Sequence, residues 1–333
     1  MKIRKILAII ISLSLFMSLS SCGKKSVGVE GNFSIGIGQF AEHPSLDNCR
    51  EGFLLGLREE GFEQGKNVTF RVDNAQTDGG FASQIFDNYV NNNMDMIVAI
   101  ATPMAQMAYS RAKDKNIPVI FTAVTDPIAA ELANSDGKPV GNITGTSDKL
   151  PVDLQLSLIH EMYPEATRVG ILYTTSEVNS LSSIDEYRYY ASSYGIDIIT
   201  QGINDTSDMS LACDNILNKV DVMTNVTDNT VVASLPILLS KAKEKNIPVF
   251  GSEVEQVKNG CIACMGLDYV ELGKQTGRMA AKILKGEVEA KNLNYEIIEN
   301  ASLYVNSKVA DDLNYIINQD ILDRADQVFD SIS

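Results

Sequence analysis

The chain has 333 residues, of which 28 are lysine or arginine and 43 are aspartate or glutamate, so its formal net charge is −15 at pH 7. Nucleic-acid binding requires clustered basic side chains, and this balance argues against nucleic acid as a partner. The five cysteines and two histidines are too few for a disulfide-dense scaffold or a histidine-based catalytic centre. The length favours two lobes over one small core.

The amino terminus has the pattern of a bacterial lipoprotein signal. Basic residues stand among the first five positions, an apolar run follows to Leu19, and small residues precede Cys22. The run is too short for a settled membrane span. We predict that residues 1–21 are a cleaved signal peptide, that acyl chains such as palmitate are attached to Cys22, and that residues 22–32 tether the protein to the extracytoplasmic face of the cell membrane. The alternative is an ordinary signal peptide with a chance cysteine.

Strands and helices alternate after the predicted tether. Strands that are apolar at every residue suit a parallel sheet covered on both faces, and this alternation indicates βαβ units. In chain order we predict strands at Phe33–Phe40, Val68–Val72, Met96–Ala101, Ile117–Phe121, Arg168–Tyr173, Ile196–Gln201, Val222–Val226, Ile247–Phe250 and Gly260–Met265. Between them we predict helices at Leu46–Gly61, Phe81–Asn93, Met104–Lys115, Ser180–Tyr194, Met209–Lys219 and Val231–Lys245.

Two cysteines in the last of these strands have CxxC spacing. Cys261 and Cys264 lack a second pair and a nearby histidine, which a zinc site would require. We expect them to pack in the core rather than to bind a metal, and whether they form a disulfide stays open.

The order of elements restarts in the second half, and the sequence itself repeats there. Residues 111–119 (RAKDKNIPV) match residues 241–249 (KAKEKNIPV) at nearly every position. Each stretch holds the end of the third helix of its copy and the strand after it, so the match indicates an internal duplication.

The duplication predicts an α/β fold of two similar lobes, each a parallel sheet flanked by helices, hinged around a cleft. We expect residues 33–145 and about 270–290 in the N-terminal lobe, and residues 146–269 and about 291–333 in the C-terminal lobe. The joints are expected near Thr144–Thr146, Asp268–Leu272 and Glu289–Leu293.

The loops that follow the strands should carry the function, because open parallel sheets bind ligands beyond the carboxyl ends of their strands. These loops are rich in Thr, Ser, Asn and Asp. Such residues are also preferred helix caps, and capping of its own helix is the alternative role for Thr102, Asn179 and Asp228.

Three kinds of group at these loops suit three parts of one ligand. Helix amino termini suit a carboxylate, and Asp228 or Asp268 suits an ammonium. Phe40, Tyr173 and Tyr269 stand beside the loops and could enclose an apolar side chain, with ordinary packing as the alternative. A ligand with ammonium, carboxylate and apolar ends is an amino acid.

The sequence contains no recognisable catalytic set. It has no GxSxG elbow, no HExxH motif, no phosphate loop and no Rossmann glycine fingerprint. We therefore expect no enzymatic activity, no cofactor and no metal site.

A series of short motifs extends from about residue 33 to residue 310, and their order and spacing carry a family resemblance. They are EHPSLD at 42–47, ATP at 101–103, VTDP at 124–127, GNITG at 141–145, TDNT at 227–230, KNIPV at 245–249, GLDY at 266–269 and GKQTG at 273–277. The chain resembles the ABC-transporter substrate-binding family associated with tryptophan and tyrosine uptake.

This resemblance implies a fold similar to type I periplasmic binding proteins and an amino-acid ligand, often aromatic, that is delivered to an ABC permease in the membrane. It implies ligand contacts at Gln39, Thr102, Thr125, Asp126, Asn179, Ser180, Asp228, Asn229, Thr230 and Asp268. Val226 stands where a proline often precedes the TDNT stretch, and residues 252–255 are unusually acidic. Side-chain specificity among tryptophan, tyrosine, phenylalanine and aliphatic amino acids therefore stays open.

We predict a lipid-anchored, monomeric solute-binding protein of an ABC importer that holds an amino acid between its lobes. The alternative is a lipoprotein sensor that reports ligand occupancy to a signalling partner. A permease and an ATPase encoded alongside the protein would favour transport, whereas a histidine kinase would favour sensing.

Overall fold

The computed structural model describes residues 31–298 and 301–333, so the predicted signal peptide and Cys22 lie outside the described residues. Within this part of the chain, none of the helices combines the length and apolar character needed to cross a bilayer.

The secondary structure alternates as the apolar runs predict. The strands are β1 (Phe33–Gln39), β2 (Val68–Asn74), β3 (Met96–Ile100), β4 (Val119–Thr122), β5 (Ile143–Ser147), β6 (Arg168–Thr174), β7 (Asp197–Ile203), β8 (Val222–Thr224), β9 (Val249–Phe250), β10 (Ala263–Gly266), β11 (Glu296–Ile297), β12 (Ser302–Asn306) and β13 (Gln327–Phe329). The α-helices are α1 (Pro44–Glu59), α2 (Gly79–Asn91), α3 (Thr102–Ala112), α4 (Val152–Met162), α5 (Val178–Ala191), α6 (Met209–Ile216), α7 (Asn229–Ala233), α8 (Leu235–Glu244), α9 (Val254–Lys258), α10 (Tyr269–Leu284), α11 (Ser307–Asp312) and α12 (Gln319–Arg324).

The first lobe is built on one parallel sheet in the order β11-β5-β4-β3-β1-β2. All five residues of β3 are buried, as expected for a central strand with both faces covered. Because all strands of this sheet run parallel, their carboxyl ends lie together on the edge that faces the second lobe.

The second lobe is built on a parallel sheet in the order β7-β6-β8-β9. A smaller sheet, β10-β12-β13, continues it: the amide of Ile262 donates to Val249 O at 2.8 Å and that of Gly251 to Ala263 O at 3.0 Å. The predicted strands are thus confirmed, with ends that differ by a few residues.

Two helices differ from the prediction. The single helix predicted over Val231–Lys245 is broken into α7 and α8 at Ser234. Pro236 is the reason, because a proline within a helix removes a backbone donor and clashes with the preceding turn, whereas the first turn of a new helix tolerates it. The helix α4 was not predicted.

Two of the crossings between the lobes lie later in the sequence than the predicted joints. Residues Thr144–Thr146 lie within β5, and the chain crosses after Ser147. Residues 291–297, expected in the second lobe, end in β11, which pairs with β5 through Glu296 and Thr146. The open edge of β5 accepts this short strand, so the last crossing falls beyond Ile297.

The returning helix α10 packs against α1 with their backbones in contact. A Cβ atom on Gly273 would lie 2.1 Å from Cys49 O, and one on Gly52 would lie 2.1 Å from Val270 O. Gly56 and Gly277 continue this contact one turn further along. Only glycine allows so close an approach, and the contact fixes α10 in the first lobe.

Candidate ligand-binding site

The strand-end loops of the two lobes meet in one cleft, and hydrogen bonds join them across it. Thr125 Oγ1 lies 2.6 Å from Thr227 Oγ1. The hydroxyl of Ser182 donates to Asp126 Oδ2 at 2.6 Å, so a predicted carboxylate is engaged by the opposite lobe. The described conformation is therefore closed.

The deepest part of the cleft holds little free space. A cavity of about 20 Å³ lies there, with Asp148, Asn229 and Tyr269 among its walls. This volume accommodates about one water molecule. A solute larger than water therefore needs the lobes to part before it reaches this depth.

Asp228 is fully buried and bound by its own lobe. Its carboxylate accepts from Thr174 N at 2.6 Å, Thr174 Oγ1 at 2.8 Å, Ser180 Oγ at 2.7 Å and Val231 N at 2.9 Å. Burial raises the pKa of Asp228. Asp228 and Ser180 thus fasten the start of α7 to the end of β6, which is the capping role considered above.

Glu177 is a buried carboxylate that sequence reasoning missed, although it stands in the same loop as Asn179 and Ser180. It accepts from the amides of Asn229 at 3.1 Å and Thr230 at 3.2 Å, which belong to the first turn of α7. The side chains of Asn179, Asn229 and Thr230 donate to it as well. Burial and the nearby charge of Asp228 raise its pKa.

Two predicted residues carry buried polar atoms that are not engaged in hydrogen bonds with the described part of the chain. Thr102 Oγ1 and Asn179 Oδ1 make no hydrogen bond of normal geometry within the described residues. Ala101, which precedes α3, has φ +87° and ψ 155°, a region that residues with a side chain rarely adopt. Such strain clusters at ligand sites, because the surrounding fold must hold it in place.

The remaining predicted polar residues have local partners. Gln39 is buried and donates to Ala41 O at 2.7 Å and to Asp47 Oδ1 at 3.0 Å. Asp268 is exposed and caps α10 by accepting from Val270 N at 2.8 Å. Neither of these two is brought to the centre of the cleft.

The predicted aromatic residues have three different surroundings. Tyr269 is buried at the joint between the lobes, where its hydroxyl donates to Asp148 Oδ2 at 2.5 Å. Burial raises the pKa of both groups. Tyr173 packs on the core of the second lobe. Phe40 lies in the cleft and is the one of the three that lines its mouth.

A pocket of about 480 Å³ opens at this mouth, between the lobes. We call it the mouth pocket. The first lobe contributes the apolar side chains of Phe40, Pro103 and Met107 together with a few polar ones, and the second lobe contributes only polar residues, among them Glu177 and Thr230. Its size lies within the range of small-molecule sites, and both lobes contribute walls, so it can hold a compact amphipathic solute.

The hydrogen bond between Ser182 and Asp126 supports a test of closure. In Ser182→Ala we expect the closed form to lose about 1 kcal/mol, and the affinity for a solute bound between the lobes to fall about fivefold. Small-angle scattering should show a larger radius of gyration. Ser192→Ala is the matched control, since Ser192 Oγ bonds only to Tyr189 O of its own lobe. Equal scattering and affinity in the two variants would contradict this role.

Comparison with known proteins identifies the family. The family model described as ABC transporter substrate binding protein matches residues 34–329. The chain therefore belongs to this family, which makes it a substrate-binding protein and not an enzyme. A curated relative, the tyrosine-binding protein of Clostridioides difficile (strain R20291), is 39% identical over 297 residues, which cover 86% of each chain.

Solved structures confirm the two-lobed, type I periplasmic-binding fold. The ABC domain from Streptococcus pneumonia in complex with L-Trp is 33% identical, with a TM-score of 0.86, and the match covers 90% of this chain and 100% of that one. A ligand-free, open substrate binding protein with adhesive properties from Clostridium difficile is 35% identical with the same coverage, but its TM-score is 0.67. The two structures are about equally identical in sequence to this chain, but the TM-score is higher for the L-Trp complex than for the open, ligand-free protein. This difference agrees with the closed conformation, in which the two lobes of this chain contact each other directly.

Proposed function

We propose that this protein binds an aromatic amino acid in the mouth pocket and delivers it to a membrane permease. The observation that carries the proposal is the pocket itself, in which apolar side chains from the first lobe, including Phe40 and Met107, face a polar wall from the second. Relatives described as binding tyrosine and L-Trp support an aromatic ligand.

The polar groups suggest an orientation for the ligand. Its carboxylate would lie at the start of α3, where Thr102 Oγ1 is a buried donor without a hydrogen bond of normal geometry among the described residues. Its ammonium would lie at Asn179 Oδ1 and Glu177 on the opposite lobe. Its ring would contact Phe40 and Pro103. A ligand held in this way bridges both lobes and stabilises the closed form.

We expect tyrosine, tryptophan or phenylalanine to stabilise the purified protein against heat. A ligand at about 100 times its dissociation constant adds about 2.7 kcal/mol to the free energy of unfolding. A thermal-shift screen of all amino acids, followed by isothermal titration, measures this effect. Leucine and alanine are the controls for the aromatic ring. Stabilisation by aliphatic but not aromatic amino acids would reject the aromatic ligand, and no stabilisation by any amino acid would reject the proposed function.

The membrane anchor is a second part of this proposal, and the motif ending at Cys22 supports it. We propose that the lipid on Cys22 keeps the binding domain at the extracytoplasmic surface, which raises its effective concentration at the permease.

We expect Cys22→Ala to abolish labelling by radioactive palmitate and to release the protein from the membrane fraction. Because Cys22 lies outside the residues that form the described fold, ligand affinity in solution should stay unchanged, while cellular uptake of the amino acid should fall. Cys213→Ala is the control, since Cys213 is buried in the second lobe. Retained palmitate in Cys22→Ala would show that the lipid is attached elsewhere.

A further inference from the structure

A second, larger pocket lies on another side of the cleft. It has a volume of about 530 Å³ and lies between the start of α1 in the first lobe and α8 in the second. We call it the α8 pocket. It shares no lining residue with the mouth pocket. A molecule bound here would therefore be separate from a solute in the mouth pocket.

The inner end of the α8 pocket carries buried polar groups that face other polar side chains, Ser45 toward Glu253 and His43 toward Asn229. His43 and Ser45 are 7% and 3% exposed, and neither the ring nitrogens of His43 nor Ser45 Oγ make a hydrogen bond of normal geometry within the described residues. Burial lowers the pKa of His43 to about 4, so its ring is neutral at pH 7 and one nitrogen can accept a hydrogen bond.

Glu253 faces these groups from the second lobe. It is 1% exposed, and it accepts from Glu255 N at 2.7 Å and Gln256 N at 3.1 Å, one bond to each carboxylate oxygen. Burial raises the pKa of Glu253 to about 7. A bound ammonium would favour the ionised form, in which each oxygen can accept a further hydrogen bond. The inner end therefore presents three kinds of acceptor, namely a carboxylate, a hydroxyl and an imidazole nitrogen.

The rest of the pocket is apolar in its walls and acidic in its charge. Val232, Leu235 and Leu239 form one wall. Four carboxylates line the pocket, and two of them are paired with lysines: Asp312 lies 3.0 Å from Lys243, and Glu255 lies 2.8 Å from Lys258. The other two, Glu42 and Glu253, form no ion pair within the described residues. The charge balance disfavours an anionic ligand and favours a cation with an apolar body.

We propose that the α8 pocket is a second ligand site that takes an apolar primary amine. The three N–H groups of the ammonium match Glu253, Ser45 and His43, and the apolar body lies against Leu235 and Leu239. Because His43 and Ser45 belong to the first lobe and Glu253 to the second, the amine holds the lobes together. It therefore increases the affinity for a solute bound elsewhere in the cleft.

Isothermal titration with phenethylamine tests the proposal. We expect one molecule to bind per chain, and 3-phenylpropanoate, which has a similar body but an anionic head, to bind at least tenfold more weakly. Leu239→Trp fills the pocket and should weaken phenethylamine binding at least tenfold. Leu211→Trp is the matched control, because Leu211 lies on another helix of the same lobe and is 68% exposed. It should bind the amine as the unaltered protein does.

The second site and the proposed function can fail separately. In the unaltered protein, saturating phenethylamine should increase the affinity for the amino acid found in the screen. Displacement of phenethylamine by that amino acid would overturn the proposal, because the two would then share one site. Undiminished amine binding by Leu239→Trp, or no binding by the unaltered protein, would overturn it too. Binding of phenethylamine by the unaltered protein and its loss in Leu239→Trp can both be measured whether or not an aromatic amino acid binds in the mouth pocket.

Discussion

Replacing Gly273 with valine is expected to destabilise the protein by about 3 kcal/mol, near the upper end of overpacking substitutions. The reason is the contact between α1 and α10, in which a Cβ on Gly273 would lie 2.1 Å from the carbonyl oxygen of Cys49 and 2.7 Å from Phe53 N. These are backbone atoms and cannot rotate away, so the helices must separate. Urea unfolding followed by circular dichroism measures the loss as a lower midpoint.

Gly79→Val is the matched control for this substitution. Gly79 begins α2, and a Cβ there would have no heavy atom within 4 Å. We expect its unfolding midpoint to stay near that of the unaltered protein. If Gly273→Val also unfolded at that midpoint, the close approach of α1 and α10 would be wrong.

This helix contact also shows what the sequence could not predict. The GKQTG stretch at 273–277 was recognisable as a motif, yet nothing in it indicates that its glycines face Gly52 and Gly56, more than 200 residues earlier. Such a pairing depends on the path of the chain through the second lobe and back. Apolar periodicity reports the local element, and not the partner of that element.

The strands were predictable because their signal is local. The apolar run of β3, for example, is buried throughout in a parallel sheet. The duplicated stretches also occupy equivalent places: 111–119 ends at the first residue of β4, and 241–249 ends at the first residue of β9. The two-residue strand β11 was not predictable, because only the exposed edge of β5 makes it a strand. The last joint between the lobes was placed too early for the same reason.

The site residues also show that local position was predictable from the sequence, whereas contacts between distant parts of the chain were not. Strand-end position correctly selected the loops that meet in the cleft. It did not say which side chains bind their own lobe, as Asp228 does through four hydrogen bonds. It also passed over Glu177, whose partners on α7 lie about 50 residues along the chain. The role of a polar loop residue depends on the neighbouring loop, and that is a tertiary property.

Glu177→Ala is expected to remove most ligand binding and part of the stability. The substitution leaves the amides of Asn229 and Thr230 buried without the carboxylate that accepts them at 3.1 and 3.2 Å. Unpaired buried donors cost about 1–3 kcal/mol each, so we expect a loss of about 3 kcal/mol in the free energy of unfolding. The affinity for an aromatic amino acid should fall at least a hundredfold, because the polar wall of the mouth pocket loses its central group.

Glu177→Gln separates the charge of this residue from its shape. The glutamine fills the same volume and keeps one accepting oxygen, but its amide group opposes donors such as Asn229 Nδ2, which lies 2.5 Å from the present carboxylate. We expect a smaller loss of stability than in Glu177→Ala, about 1–2 kcal/mol. Burial and Asp228 raise the pKa of Glu177 to about 8, and a bound ammonium would favour its ionised form. Glutamine cannot ionise, so affinity should still fall at least tenfold. Urea unfolding and isothermal titration of both variants measure the two effects.

Glu165→Ala is the control, since Glu165 is exposed in the turn that follows α4. It should match the unaltered protein in stability and affinity. If Glu177→Gln kept full affinity but lost stability, the role of Glu177 would be structural only. The ammonium of the ligand would then bind another acceptor, such as Asn179 Oδ1. Full affinity and full stability in Glu177→Ala would contradict the arrangement of the cleft itself, because no other side chain pairs with both amides at the start of α7 within the described residues.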